Sequence, residues 1–519
     1  MPSTSRRLAR RSATIGPLTL AVVLAMPGTG HSAPGDLDLG FGGSSHGRVT
    51  FDLGAVTGLA VQPNGGIVVV ADSPDATGVQ AKARRFTADG RRDGDFGTTT
   101  LPTGLGAVAL ATAAVSQPDG RVIVVGTVPD AGGSNDIAVW RITRSGALDT
   151  SFGGDGLVQL GTAGSDTASD VALDAQGRTV VVGTSDNGDP DIAAARLTPG
   201  GAPDPTFNAG RMLVLPNPGL DSAGAVALQS DGQIVVGGLD HGIQGNAVLR
   251  ITPGDAATPA ALDKSFGGGD GVADVAGAIP TNSPDVAITS NGNILVLEAE
   301  ASTSGALGDI DASVVQLDGA GVVDKVFGAA DGTGARIAVP DVNTVAASAL
   351  TVMPNGGVVV AGAVLDAGQR AFVAKFRSSG RPDVRMGTGG VRMLRADEGL
   401  AAVTALVDGR IVATGNVGAD GVHNVLYRLR GDLRAPLCGG TKATIVGTRA
   451  SDRLVGTRHP DVIAGLGSGD TITGLGKDDV ICGGRGSDHL LGGRGNDRLI
   501  GGPGRDSLRG GPGRDLETP

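Results

Sequence analysis

Eight aspartates, Asp452, Asp461, Asp470, Asp479, Asp488, Asp497, Asp506 and Asp515, stand nine residues apart near the end of a 519-residue chain. Two positions after each comes one apolar residue, Leu454, Ile463, Ile472, Ile481, Leu490, Leu499 and Leu508, until Glu517 breaks the series. From Gly483 onward the pattern fills out to G-G-x-G-x-D-x-U-x, as in 483–491. Glycines admit positive φ and let carbonyl groups crowd together, and each aspartate adds a hard anionic oxygen. A calcium ion takes six to eight oxygens, more than one such turn supplies. The chemistry this spacing suits is the capture of a hard cation between turns. Each nonapeptide reads as a glycine-rich turn and a very short strand, so two of them complete one coil of 18 residues.

This array is similar to the hemolysin-type (RTX) calcium-binding nonapeptide repeat, over the last 72 residues of the chain. The resemblance implies a parallel β-roll with an ion between turn n and turn n+2. Asp470 then shares Ca2+ with Asp488, Asp479 with Asp497, Asp488 with Asp506, and Asp497 with Asp515. It places Gly484, Gly486, Gly493, Gly495, Gly502 and Gly504 in the metal-binding turns. The first two turns, Gly447-Thr448-Arg449 and Gly456-Thr457-Arg458, lack the double glycine, so about four ions are expected in the roll. A core of single Leu and Ile side chains is too thin to offset chain entropy alone, and folding is expected to be coupled to calcium. Between Lys442 and Thr518 there are 11 Lys plus Arg and 10 Asp plus Glu, so apo repulsion is milder than in an acidic array.

What must carry this array is a longer repeat. The signature L-D-x-x-F-G begins at Leu37 and Asp38 with Phe41, and returns with Phe96, Phe152, Phe207, Phe266 and Phe327; a seventh copy has Met386. The steps are 55, 56, 55, 59, 61 and 59 residues. Inside each interval a small turn, with Gly65, Gly120, Gly177, Gly232, Gly292, Gly356 or Gly409, precedes a β-branched run. Asn-Gly and Asp-Gly here suggest type I′ hairpins. A third strand follows, as in 139–142 and 248–251, and a short fourth one follows each Phe-Gly turn. Four strands in 55–61 residues fit a propeller blade rather than a solenoid coil. Strand 48–53 has no hairpin before it and unit 403–429 lacks a fourth strand; joining them closes a ring of seven. These units resemble the delta-60 repeat family, which implies a propeller-like scaffold and no particular activity.

The fold class expected is all-β, a seven-bladed β-propeller followed by a parallel β-roll. The boundaries are 1–33 export signal, 34–432 propeller, 433–446 linker and 447–519 roll. Arg6, Arg7, Arg10 and Arg11 precede the apolar stretch 15–26, with a plausible cut after Ala33. That stretch is short for a membrane span, so secretion is expected, with no stable span after signal removal. Cys438 and Cys482 are the only cysteines; in an exported chain a disulfide is favoured, closing a loop of about 45 residues worth roughly 4 kcal/mol.

The net charge of −11 and pattern of Lys and Arg give no basis for nucleic-acid binding. The repeated Asp of L-D-x-x-F-G reads as a turn cap. Asp155 and Asp270 lie in Gly-Gly-Asp-Gly turns, and 186–191 has a calcium-loop look without the glutamate at position twelve. Trp140 and Tyr427, each alone of its kind, fall on third strands, where packing between sheets explains them. No catalytic or other cofactor-binding residues stand out. The function expected is a secreted, non-enzymatic calcium-binding protein whose propeller meets an extracellular protein or glycan. The alternative is a secreted hydrolase or lyase with its site in the propeller channel. A third possibility is a surface component associating through the roll.

Overall fold

The computed structural model describes residues 35–519 apart from 44–45, 77, 105–107, 217–219, 241–244, 256–257, 276–283, 302–309, 329–333, 338, 340–343, 366–367, 419–421, 432–435, 444, 448–450 and 457–459. The export signal expected over 1–33 and most of turns 447–449 and 456–458 therefore lie outside the described residues.

Seven antiparallel sheets make the seven blades. Blades 1 to 6 span 55–100, 110–160, 165–215, 220–275, 285–336 and 345–396. Blade 7 takes three strands from 398–429 and its outermost strand, Arg48–Asp52, from the start of the ring. That strand lies antiparallel to His423–Leu429, with Arg48 opposite Tyr427 and Asp52 opposite His423. The closure inferred from counting strands is the closure observed, and it removes the two sheet edges an open array would expose. Arg48 Nε donates to Glu398 Oε1 at 2.9 Å, and Tyr427 donates its hydroxyl proton to Glu398 Oε2 at 2.5 Å. Glu398 begins the innermost strand, so this triad ties the first strand of the ring across the width of the last blade.

The second strands are continuous apolar runs, such as Val68 to Ala71 and Val122 to Val125, and both of their faces are buried between neighbouring sheets. Phe41, Phe96, Phe152, Phe207, Phe266 and Phe327 are buried to 5% exposure or less, and Met386 fills the same place in the seventh copy. Trp140 and Tyr427 occupy equivalent third-strand positions opposite Val124 and Ala413 and are fully buried.

The hairpins differ from the type I′ expectation. Gly65, Gly120, Gly177, Gly232, Gly292, Gly356 and Gly409 have positive φ, but none of the residues before them does. Pro63, Pro118 and Pro354 sit one position earlier still, where a two-residue hairpin needs the backbone N–H that proline lacks, and where its φ near −65° suits the first central residue of a type I turn. The loops are three-residue turns in which Gly65 N donates to Gln62 O and Gln62 N to Gly66 O, both at 2.8 Å. This is a type I turn closed by a left-handed glycine.

The repeated aspartate caps its turn as expected and also does something the sequence reading missed. Asp149 Oδ1 accepts from Ser151 N at 3.1 Å, while Oδ2 accepts from Arg141 Nε at 2.8 Å. The guanidinium stacks 4.6 Å over the Phe152 ring and also donates to Pro199 O on the next blade. Arg85–Asp93, Arg196–Asp204, Arg250–Asp263, Lys375–Asp383 and Arg428–Asp38 repeat the pair. In blade 5 neutral Gln316 donates to Asp324 at 2.8 Å instead. Each rivet joins strand and turn, and Arg85, Arg141, Arg250 and Arg428 also donate to a carbonyl of the neighbouring blade.

After the propeller, Leu437–Cys438 and Thr441–Lys442 form a small hairpin, and Ile445–Val446 is the first paired strand of the roll. Parallel pairing then runs 18 residues apart, Ile463 with Ile481 and Ile472 with Leu490, in two sheets. Ile445, Leu454, Ile463, Ile472, Ile481, Leu490 and Leu499 form the single-file core. Cys438 and Cys482 are joined, Cα to Cα 5.6 Å, and the hairpin covers Ala464 on the outside of one sheet. No helix among the described residues is long and apolar enough to cross a membrane.

Candidate metal centre

The parallel stacking places each aspartate beside the one 18 residues away. Asp488 Oδ1 accepts from Asp470 N at 2.7 Å, Asp497 Oδ1 from Asp479 N at 2.9 Å, Asp506 Oδ1 from Asp488 N at 3.0 Å, and Asp515 Oδ1 from Asp497 N at 2.9 Å. The same bond joins Asp452 to Asp470 and Asp461 to Asp479, each at 2.8 Å. All four pairs expected from the resemblance are thus neighbours, in two columns, one per edge of the roll.

The other carboxylate oxygen is where the strain lies. Oδ2 of Asp470, Asp479, Asp488 and Asp497 is buried with no hydrogen-bond partner, although each of these residues is only 1% exposed. An isolated buried carboxylate is unfavourable unless something compensates it. Burial raises Asp470 to about 6 and Asp479 to about 7, and the stacked aspartates on either side push in the same direction. Asp488 and Asp497 are raised by burial too, with Asp506 and Asp515 adding repulsion.

Each orphan oxygen lies close against the first glycine of its own turn, where any side chain would collide with it. A Cβ on Gly465 would lie 2.3 Å from Asp470 Oδ2 and 2.4 Å from Gly483 O of the next coil. On Gly474 it would lie 2.3 Å from Asp479 Oδ2 and 2.6 Å from Gly492 O. The missing side chain thus lets one carboxylate oxygen and one carbonyl of the following coil converge beside each of these glycines. Among the described residues no group of three or more His, Cys, Asp or Glu side chains converges on one point. An ion here takes at most a pair of carboxylates and draws its remaining ligands from backbone carbonyls, which is oxygen chemistry suited to calcium rather than zinc.

The six glycines singled out by sequence set the stacking of those carbonyls. Gly484 and Gly493 have φ of +111°, Gly486 and Gly495 +141°, and Gly502 +104°. A Cβ on Gly502 would meet Gly484 O at 2.2 Å, and one on Gly504 would collide with Gly486 O. Two earlier turns fill equivalent places with side chains: Leu466 and Ser468 have φ of 84° and 67°, and Leu475 and Lys477 have 86° and 73°. The sequence reading overlooked these four. Their signal was the 18-residue offset from Gly484, Gly486, Gly493 and Gly495.

The other acidic candidates are turn caps. Asp155 Oδ1 accepts from Leu157 N and Asp270 Oδ1 from Val272 N, both at 3.0 Å. Segment 186–190 is the tip of a hairpin in which Asp186 pairs with Pro190 and accepts from Gly188 N.

The architecture is thus a repeat propeller carrying a calcium-type nonapeptide roll. Comparison with known families agrees: residues 117–152, 177–207 and 229–255 match the beta-propeller "Domain of unknown function (DUF5122)". Residues 446–481, 455–490 and 483–517 match the "RTX calcium-binding nonapeptide repeat (4 copies)". The chain carries repeats of both families, and the second marks it as calcium-binding. No curated protein matches it. Among solved structures, a PL25 ulvan lyase is similar at 11% identity and TM-score 0.41, covering 74% of this chain and 96% of its own. The structure "YCF48 bound to D1 peptide" is similar at 11% identity and TM-score 0.37, covering 77% and 98%. A protein of unknown function from Bacteroides caccae gives 12%, 0.31, 52% and 82%. Likeness at this level does not extend to activity or ligand.

Proposed function

We propose that this is a secreted, non-enzymatic protein whose roll is held together by about four calcium ions and whose propeller presents a surface to an extracellular protein or glycan. The observation that carries the reading is the set of four buried, unpartnered carboxylate oxygens on Asp470, Asp479, Asp488 and Asp497. They pair with Asp488, Asp497, Asp506 and Asp515 across successive coils, and Gly484, Gly486, Gly493, Gly495, Gly502 and Gly504 allow the carbonyls to approach. Bound calcium supplies the positive charge that the stacked carboxylates otherwise lack. The residues themselves do the rest: Oδ1 ties one coil to the next, the Leu and Ile file excludes water, and the disulfide fixes the first coils. Both matched families are described by their repeats, not by a reaction, which supports the non-enzymatic reading.

Isothermal titration of the mature chain with calcium is expected to show about four sites, with Asp479→Asn plus Asp497→Asn removing those of one column. No binding below millimolar calcium, or identical binding by the double variant, overturns the assignment. Secretion is tested by N-terminal sequencing of protein from the culture medium, expected to begin at Pro34.

A further inference from the structure

The seven blades serve as controls for one another, and one joint departs from the rest. At the third-strand position opposite the middle of the second strand, six blades carry Trp140, Ala195, Leu249, Val315, Ala374 and Tyr427. Two residues earlier on the same face they carry Ala138, Ala193, Ala247, Ser313, Phe372 and Val425. Blade 1 has Arg84 and Lys82 at these two places, opposite Val69 and Ala71. That face looks toward blade 7, where Ile67, Val69, Ala71 and Phe86 pack with Val412 and Leu426. The break in the repeat falls at the seam where the ring closes.

This joint holds a cavity of about 430 Å3. Lys82 and Arg84 form one wall with Thr98 and Thr100 of the neighbouring strand, Ser73 and Pro74 another, and Asp52, Leu53, Gly54 and Val422 complete it. Arg84 donates to Thr98 Oγ1 at 3.0 Å and to Asp52 O at 2.7 Å, and Lys82 donates to Ser73 Oγ at 2.9 Å. Two of the three ammonium donors of Lys82 and several of the five of Arg84 remain for another partner. Neither cation makes a salt bridge with a described carboxylate. Asp52 stands at the rim, 71% exposed, its carboxylate 2.7 Å from His423 Nδ1. Burial lowers the Arg84 pKa and Arg92 adds repulsion in the same direction, while attraction to the Asp52 carboxylate at the rim works against both.

We propose that this seam pocket binds an oxyanion, the carboxylate or sulfate group that acidic sugars carry, between Lys82 and Arg84. A planar guanidinium offers paired donors and the ammonium a point charge. Thr98, Thr100 and Ser73 offer hydroxyls to the polar remainder of a ligand, and Leu53, Pro74 and Val422 an apolar wall. Lys82 and Arg84 set two like charges on one wall at positions where the six sister strands carry none, and an anion between them offsets their repulsion. The site stands on the propeller alone and goes beyond the calcium reading.

The test is calorimetric titration of the full mature chain with inorganic sulfate and, separately, with glucuronate, in calcium and again in chelator. Millimolar or tighter binding is expected, about tenfold weaker in Lys82→Met and in Arg84→Met and lost in the double variant. Circular dichroism checks that each variant is folded; Thr98→Val, milder still, is expected to weaken binding severalfold. Sulfate binding as tight as glucuronate would identify a free-ion site, and tighter glucuronate a sugar-borne group. No binding of either anion, or equal binding by Lys82→Met, overturns the proposal. Binding unchanged by chelator would separate its fate from that of the roll.

Discussion

Removing calcium is expected to unfold the roll at alkaline pH while leaving the propeller intact. The magnitude follows from the carboxylates. Raising Asp470 from 3.8 to about 6 and Asp479 to about 7 costs about 1.4 kcal/mol per unit once both are ionised. These two together cost on the order of 7 kcal/mol at pH 8, comparable to the whole stability of a small domain. Calcium at one hundred times its dissociation constant returns about 2.7 kcal/mol per site, so four ions offset the cost with a few kcal/mol to spare. The sign with pH is fixed: a carboxyl whose folded pKa is raised supports the fold when protonated. That contribution is complete below about pH 4 and is lost as pH rises through the folded values of about 6 and 7. Amide hydrogen exchange over peptides within 462–500 reads this directly, since the segment has no aromatic residue. Protection is expected in calcium at pH 8, none in chelator at pH 8, and partial protection in chelator at pH 5 after correction for intrinsic rates. Equal protection with calcium and chelator at pH 8 would refute the reasoning.

Further outcomes follow from the same geometry. Leu475→Gly, which relieves a φ of 86° at a residue 42% exposed, is expected to raise the calcium-loaded melting point by the equivalent of about 1 kcal/mol. Gly493→Ala should lower it by more, because its Cβ would lie 2.4 Å from Leu475 O. Arg141→Met removes the more buried of the two guanidinium partners of Asp149, leaving Arg121 at 2.9 Å, and is expected to cost about 2 kcal/mol in denaturant unfolding of the propeller. Asp170 and Asp285, raised by burial to about 6 and about 7, each accept a backbone amide of the next blade. Asp170→Asn plus Asp285→Asn should therefore raise the propeller melting point at pH 8 and leave it nearly unchanged at pH 5. Reduction of Cys438–Cys482 should add about 2 Da, one hydrogen per sulfur, and lower roll stability by up to about 4 kcal/mol.

Periodicity carried most of this fold. The short strand before the first hairpin could be assigned to the last blade because closure demands a partner for it. The nine-residue ladder gave the coil length, and the apolar residue two places on gave the core. The Arg–Asp rivets were also present as a constant offset of eight between Arg85 and Asp93, Arg141 and Asp149, and Arg196 and Asp204. They are hard to see because Asp263 lies thirteen residues after Arg250 and Asp38 pairs with Arg428 around the ring. Turn type escaped because Asn-Gly was weighed without the proline before it. The roll aspartates were legible as a set, but not which oxygen each leaves unpaired. That depends on the amide eighteen residues earlier, a contact only stacking creates. The seam pocket was invisible because Lys82 and Arg84 become unusual only when the seven third strands are laid in register.

The central claim is tested most directly by a crystal structure grown in calcium, with anomalous difference density measured above the background of sulfur. The account predicts peaks between Asp470 and Asp488, Asp479 and Asp497, Asp488 and Asp506, and Asp497 and Asp515, each beside an oxygen of the pair and ringed by carbonyls. A well-ordered roll in saturating calcium with no peak along either aspartate column would contradict it.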